Sequence, residues 1–314
     1  MKFRITTLKE ADTDILSEIR ALMNLSLKFD FITDHMLVRC VVEDPNFIQE
    51  NTLLAYNNGK LVGVLIGAER VRAPIEAVRS QKDIGWIKAV AVHPTFLKEG
   101  LLEVLLTEFE SLMRDKNKRC IRLADFASWH FFPGINVAYD FYINTLMDLN
   151  FVKDHEAVNY EVSLLNFDIP QRIVRYEKSL KKEGIVFRKA NSNEMNVISR
   201  WVKHTFSPFW AYEVERAFEF KQPKIWIAER SDGEILGFSV YGSLEPEWFG
   251  PIGVDPKARA KGIGSVLLFK SLYDMRLEGL RIAIIPWTSH LFFYAQIPNI
   301  VGIRHYWIMV KKLN

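Results

Sequence analysis

The sequence predicts two tandem α/β domains, each built on a mixed sheet, from three observations. The stretch VHPTFLKEGLLEVLL at 92–106 recurs as VDPKARAKGIGSVLL at 254–268, sharing Val, Pro, Gly, Val, Leu and Leu in register. Other landmarks repeat around it in the same order. Phe3-Arg4 answers to Phe187-Arg188, and Asn58-Gly59 before Lys60-Leu61-Val62-Gly63 answers to Asp232-Gly233 before Glu234-Ile235-Leu236-Gly237, which marks an internal duplication. Each copy also combines antiparallel hairpins with a strand-helix-strand crossover, so its sheet holds both pairings.

In the second copy a strand at 185–190 is followed by helices within 192–220, and then by a hairpin over 224–243. The hairpin rests on Asp-Gly, as that of the first copy rests on Asn-Gly, because both central positions of a type I′ turn need positive φ. A strand at 248–254 leads into a helix at 263–279, where VLLFKSLYDM carries apolar residues at helical spacing and Gly279 supplies the stop. A strand at 280–286 completes the crossover, and a short helix at 289–297 and a strand at 303–312 close the copy. Residues 166–183 hold Pro170 and the charge-rich run Arg175 to Glu183 with no clear apolar face, and are expected as a surface connector. The domains are therefore expected at 1–165 and 184–314.

Composition narrows the classes. The chain has 314 residues, 49% hydrophobic and 25% charged, with a formal charge of +3, a globular balance with no single-sign field for nucleic acid or an anionic membrane. Cys40 and Cys120 have no metal-ligand or CxxC spacing and are expected as reduced thiols of a cytoplasmic protein without a resident metal. Apolar stretches such as Leu61 to Ala68 are too short to span a bilayer.

Chemistry concentrates at 248–265, WFGPIGVDPKARAKGIGS. An apolar strand breaks at Asp-Pro into a basic, glycine-containing loop that opens a helix. Gly262 and Gly264 let backbone N–H groups approach a bulky anion, the helix start adds unpaired donors and a positive dipole end, and Lys257, Arg259 and Lys261 add charge. A pyrophosphate suits such a loop; so does a plain strand-to-helix turn with solvated cations. The Walker and dinucleotide glycine patterns are both absent.

Arg259-Ala260-Lys261-Gly262-Ile263-Gly264 matches Arg/Gln-x-x-Gly-x-Gly/Ala, the signature of the GNAT superfamily of N-acetyltransferases. Val254-Asp255-Pro256 before it, the helix after it and Phe293-Tyr294 on a later helix stand in the matching order. Both halves follow the pattern, so the chain resembles a tandem GNAT protein. The resemblance implies a partly split, V-shaped sheet in each domain, with acetyl-CoA or another acyl-CoA as co-substrate in the opening. It further implies that Ile252, Gly253 and Val254 pair with the pantetheine arm, and that Arg259, Ala260, Lys261, Gly262, Ile263, Gly264 and Ser265 hold the diphosphate. A backbone N–H of that strand, Gly253 foremost, would meet the oxyanion.

In the first copy the signature reads Leu97-Lys98-Glu99-Gly100-Leu101-Leu102. Leu102 replaces a glycine where backbone must approach phosphate, and Glu99 stands where the second copy has Lys261. A like charge about 4 Å from a diphosphate costs about 1 to 4 kcal/mol. The first domain is thus expected either to be structural, helping to shape the acceptor site, or to hold a divergent second cofactor site.

Acyl transfer to an amine needs a neutral nucleophile, a stabilised oxyanion and a proton for the departing thiolate. Tyr294 matches the helix tyrosine that GNAT members often use as the acid, and also reads as core beside Phe292 and Phe293; Tyr142 is its counterpart in the first copy. Trp287 stands where the family usually has an asparagine. Glu247 is the candidate base, with Glu245 in reserve and His290 and His305 weaker; each also reads as a surface or hydrogen-bonded residue. Trp210, Tyr212, Glu213 and Glu215 are candidates for holding a cationic amine, or are core aromatics and solvated acids. The expected function is an acyl-CoA-dependent N-acyltransferase acting directly on a primary amine of a small molecule or peptide. The alternative is a non-catalytic acyl-CoA-binding regulator, and a nucleic-acid or interaction module has only the basic loop behind it.

Overall fold

The computed structural model describes residues 2–11 and 15–313. Its elements follow in chain order. The first are β1 (Arg4–Thr7), α1 (Ile15–Ser26), α2 (Asp34–Leu37), β2 (Thr52–Asn57), β3 (Lys60–Glu69), α3 (Ile75–Gln81), β4 (Ile84–Val92) and α4 (Leu101–Asp115). Then come β5 (Cys120–Leu123), β6 (Ile135–Asn136), α5 (Asp140–Asp148), β7 (Val152–Ser163), α6 (Gln171–Lys182), β8 (Ile185–Lys189), α7 (Met195–Thr205) and α8 (Pro208–Ala217). The last are β9 (Ile225–Arg230), β10 (Ile235–Tyr241), β11 (Phe249–Val254), α9 (Ile263–Leu277), β12 (Ile282–Thr288), α10 (Leu291–Tyr294) and β13 (Ile300–Lys312).

Two compact units result: Met1–Val158 with Arg304–Asn314, and Asn159–Ile303. In unit 1, β1, β2, β3 and β4 are consecutive antiparallel neighbours and β5 joins β4 in parallel, Ile84 beside Cys120 through Ile87 beside Leu123. The final strand then lies antiparallel on β5, Met309 beside Leu123 and Lys312 beside Cys120. Asp30 fixes that strand from below: it accepts from the Tyr306 hydroxyl at 2.5 Å and pairs with Arg304 at 3.0 Å.

Unit 2 has the antiparallel order β8, β9, β10, β11. On one face Ile198 and Val202 of α7 and Val214 and Ala217 of α8 close over Ile225, Ile227, Phe238 and Val240. Pro208 opens α8, and Ser207 caps it by accepting from the Trp210 N–H at 3.2 Å. On the other face α9 packs against β9, β10 and β11. It is buried around most of its girth, at Val266, Leu267, Leu268, Phe269, Leu272 and Met275, because α6 covers its outer side.

That helix occupies the segment expected as a connector. Ile173 and Leu180 form its buried stripe, and Glu177 pairs with Lys270 of α9 at 2.9 Å. Charge-rich composition hid the few apolar positions, which do recur at helical spacing. The hairpin turns also differ from one another. Asn58 and Gly59 both have positive φ, 49° and 78°, whereas in the second copy Gly233 alone does, at 90°. There the Gly233 N–H bonds to Arg230 O at 2.9 Å, and the register shifts next to it. This is a longer turn closed by a left-handed glycine rather than type I′.

Candidate active site

The edge strand β11 touches β12 through one parallel bridge, Trp248 to Ile284, with the Ile284 N–H donating to Glu247 O at 2.7 Å. Past this vertex β11 is hydrogen-bonded to β10 on its other side. The Asp255 N–H reaches Leu236 O at 2.8 Å, and Phe238 lies opposite Gly253. Antiparallel pairing alternates, so the Gly253 N–H is directed into the β10 ladder while Ile252 and Val254 present theirs to the open edge. Gly253 serves a second purpose. A Cβ there would stand 2.6 Å from the Phe206 ring, which packs on Trp210 and Phe238.

The loop that follows is exposed. Asp255 turns it by accepting from the Lys257 N–H at 2.8 Å, and Arg259 Nε donates to Val254 O at 3.1 Å, holding the guanidinium at the strand end. Ala260 has φ +63° and Gly262 φ +89°, two left-handed residues separated by Lys261. Such alternation of hand turns successive N–H groups into a concavity of the kind that binds anions. For alanine it costs of order 1 kcal/mol, a strain of the sort kept at functional sites. Gly262 then caps α9, whose first free amides follow. A Cβ on Gly264 would lie 3.3 Å from the Phe293 ring and 3.5 Å from Val254 Cγ2, so strand, helix start and α10 converge on this glycine.

Tyr294 is buried, its ring tilted against that of Tyr160 with centroids 5.9 Å apart. Burial drives its phenol above the ordinary range, with a hydrogen bond from Thr288 pulling the other way and Tyr160 adding to the rise. Trp287 sits at φ +48° with its N–H on Asn159 Oδ1 at 2.9 Å. An asparagine is thus present beside Trp287 after all, brought from β7, a strand sequence reading assigned to the first copy. Glu247 is half-buried at the vertex and Glu245 is buried. His290 is exposed and donates its N–H to Thr288 Oγ1 at 3.0 Å. His305 falls in unit 1. Of the acceptor candidates, Trp210 packs into the α7–α8 core and Glu215 accepts from Ser199, while Tyr212 and Glu213 are half-buried.

Unit 1 repeats the split with different contents. Past Ile87 and Leu123, β4 and β5 part around a cleft lined by Lys88, Val90, Leu123 and Ala124, with Asp30 and Tyr142 among its other walls. The Tyr142 hydroxyl accepts from the Val92 N–H at 3.0 Å, and Val92 is the repeat partner of Val254. Burial pushes the Tyr142 phenol up to about 12, against the opposing pull of that amide. Residues Pro94–Glu99 form a continuous 3-10 turn, Leu102 is fully buried, and Glu99 pairs with Lys2. In sequence Tyr142 stands only as a counterpart of Tyr294; its hold on the strand amide leaves no local signal.

Comparison with known proteins places this geometry in a class. The model of the acetyltransferase (GNAT) family matches residues 21–133 and 195–291, one stretch in each copy. The chain belongs to the GNAT acetyltransferase family. The fold is similar to that of a GCN5-related N-acetyltransferase from Sphaerobacter thermophilus, with 14% identity over 99% of this chain and 96% of the other and a TM-score of 0.74. It is also similar to a tandem GNAT protein from the clavulanic acid biosynthesis pathway, at 14% identity, 99% and 98% coverage and a TM-score of 0.67. A GCN5-related glucosamine N-acetyltransferase region of a fungal multi-domain β-N-acetylglucosaminidase gives 16% identity and a TM-score of 0.78 over 98% of this chain. The chain spans 38% of that fungal protein's length. No curated protein sequence matches the chain. Among the described residues no helix is long and apolar enough to cross a membrane.

Proposed function

We propose that unit 2 is an acyl-CoA-dependent N-acyltransferase site, with acetyl-CoA as its first donor, that passes the acyl group directly to a primary amine of a small molecule or peptide. The observation that carries this reading is the open β11 edge, where the amides of Ile252 and Val254 stand one short turn, Pro256–Ala258, ahead of the left-handed, cationic loop from Arg259 to Ser265. The fit is physical: a Gly264 side chain would crowd Phe293 and Val254, so the missing Cβ keeps this point narrow and backbone-lined.

In this reading Ile252 and Val254 hold the amide-bearing arm of the donor by adding to the strand edge. Gly262 to Ser265 bind the diphosphate through their N–H groups, and Arg259 and Lys261 neutralise it. The amine nitrogen attacks the thioester carbon, the C–S bond breaks, the amine gives its proton to Glu247, and the sulfur leaves as a thiolate that takes a proton from water. An edge amide near Ile252 faces the developing oxyanion; such a donor is worth about 10²–10³ in kcat. Glu247, beside the vertex, takes the amine proton directly or through water. Tyr294 stays protonated throughout the physiological range. A phenol held above about 10 yields its proton uphill to a thiolate of about 8.5, so Tyr294 acts by hydrogen-bonding the departing sulfur.

The enclosure of Tyr294 against Thr288 favours a second reading, an acyl-CoA-binding regulator without turnover. Thiol release across a panel of amines separates the two. The enzyme reading expects turnover with at least one amine and a fall in kcat of about tenfold or more for Tyr294→Phe. Tight acetyl-CoA binding with no thiol released by any amine would establish the regulator instead.

A further inference from the structure

We propose that Tyr176 of α6 forms the surface on which the adenine ring of the acyl-CoA rests, which makes the segment between the repeats part of the donor site. This rests on the reading of unit 2 given above. Helix α6 lies outside both stretches matching the family.

Ile173, Tyr176, Glu177 and Leu180 share one side of α6, at the spacing that sets residues on a common face. Ile173 and Leu180 are each 1% exposed, whereas Tyr176 between them is 46% exposed. An aromatic ring on the inward stripe of an amphipathic helix is ordinarily covered. Here one edge of the ring packs against Gly262, whose missing Cβ would stand 3.4 Å from Tyr176 Cδ2, and the rest is open to water. The helix is anchored on either side of the ring. Glu177 pairs with Lys270 at 2.9 Å, and Arg172 on the preceding turn donates to the Gln296 carbonyl.

Tyr176 therefore presents an anchored, half-wet aromatic surface beside the residue that caps α9. A donor whose diphosphate lies on the amides after Gly262 continues outward into its nucleoside, and this ring stands beside the start of that path. Purine stacking needs a flat π face and no hydroxyl. The exposed cations Lys257, Arg259 and Lys261 lie on the neighbouring loop, suited to the additional phosphate of the nucleoside.

Calorimetry on the full chain with acetyl-CoA, with acetyl-pantetheine, which lacks the nucleotide, and with adenosine 3′,5′-bisphosphate tests the assignment. Tyr176→Ala is expected to weaken acetyl-CoA and the bisphosphate by about five- to a hundredfold and to leave acetyl-pantetheine unchanged. Tyr176→Phe should bind all three as the wild type does. Tyr176→Leu, which keeps an apolar contact with Gly262 but has no π face, should behave as the alanine variant. Equal losses for acetyl-CoA and acetyl-pantetheine, or a leucine variant that binds acetyl-CoA normally, would overturn the proposal while sparing the donor site. A wild-type chain that binds none of the three would overturn the donor site itself.

Discussion

Gly100 and Gly262 cap helices of the same fifteen-residue length with nearly the same left-handed φ, 78° and 89°, yet the residues just before them differ where an anion would sense it. Before Gly262 the turn stops at Pro256–Ala258, leaving Ala260 left-handed with two exposed cations beside it. Before Gly100 the chain winds into a regular turn over Pro94–Glu99, which consumes amides internally. Behind it, Leu102 plugs the position of Gly264, and the amide of Val92 is already taken by Tyr142. Keeping a helix start is thus a matter of one glycine, whereas keeping an anion site needs several adjacent backbone choices to hold together.

Introducing a charge is the severest way to break this contrast. Gly264→Glu is expected to weaken acetyl-CoA binding about fivefold to a thousandfold, from about 1 to 4 kcal/mol of repulsion, read by calorimetry. Gly100→Glu should leave binding unchanged and cost only the strain of its φ. Equal losses from the two would erase the asymmetry.

A gentler probe removes one oxygen from unit 1. Tyr142→Phe strips the Val92 amide of its partner and should destabilise unit 1 by about 1–3 kcal/mol, seen as an earlier loss of amide protection in β4 by hydrogen exchange, with acetyl-CoA binding untouched. A variant as stable as the wild type would show that the hydroxyl does not hold the split.

Acidity sharpens the comparison further. Burial, aided by Arg39 and Lys88, holds the His130 imidazole of unit 1 well below its ordinary pKa. The unfolded chain then binds the extra proton first. Stability of unit 1 is full above about 6.5 and falls by up to about 1.4 kcal/mol per pH unit below it. Thermal unfolding followed from pH 7 to 5 should lose that slope in His130→Gln; an unaltered slope would assign it elsewhere.

Much of this was legible beforehand. The repeat, the crossover and the glycine loop are encoded by neighbours in sequence, and their elements fall within a few residues of the expected positions. What escaped is non-local. Alternation marks β13 as a strand but says nothing of its partner, so its pairing with Cys120–Leu123 could not be read. The left-handed Ala260 carries no residue signature, since alanine is at home in any helix. Buried Lys88, paired with Asp44 at 2.8 Å, looks in sequence like any strand-edge cation. For Tyr142 and Tyr294, similar places in the repeat concealed different hydrogen-bond partners, Val92 and Thr288.

The exchange of strands has a consequence for synthesis. On the ribosome, every residue of the second unit emerges before Arg304 to Lys312, so the first unit waits with the flank of β5 bare while its successor is made. A nascent chain in that condition carries an unfinished sheet edge, a natural foothold for chaperones, and severing the finished polypeptide between the repeats would orphan a strand on each side of the cut.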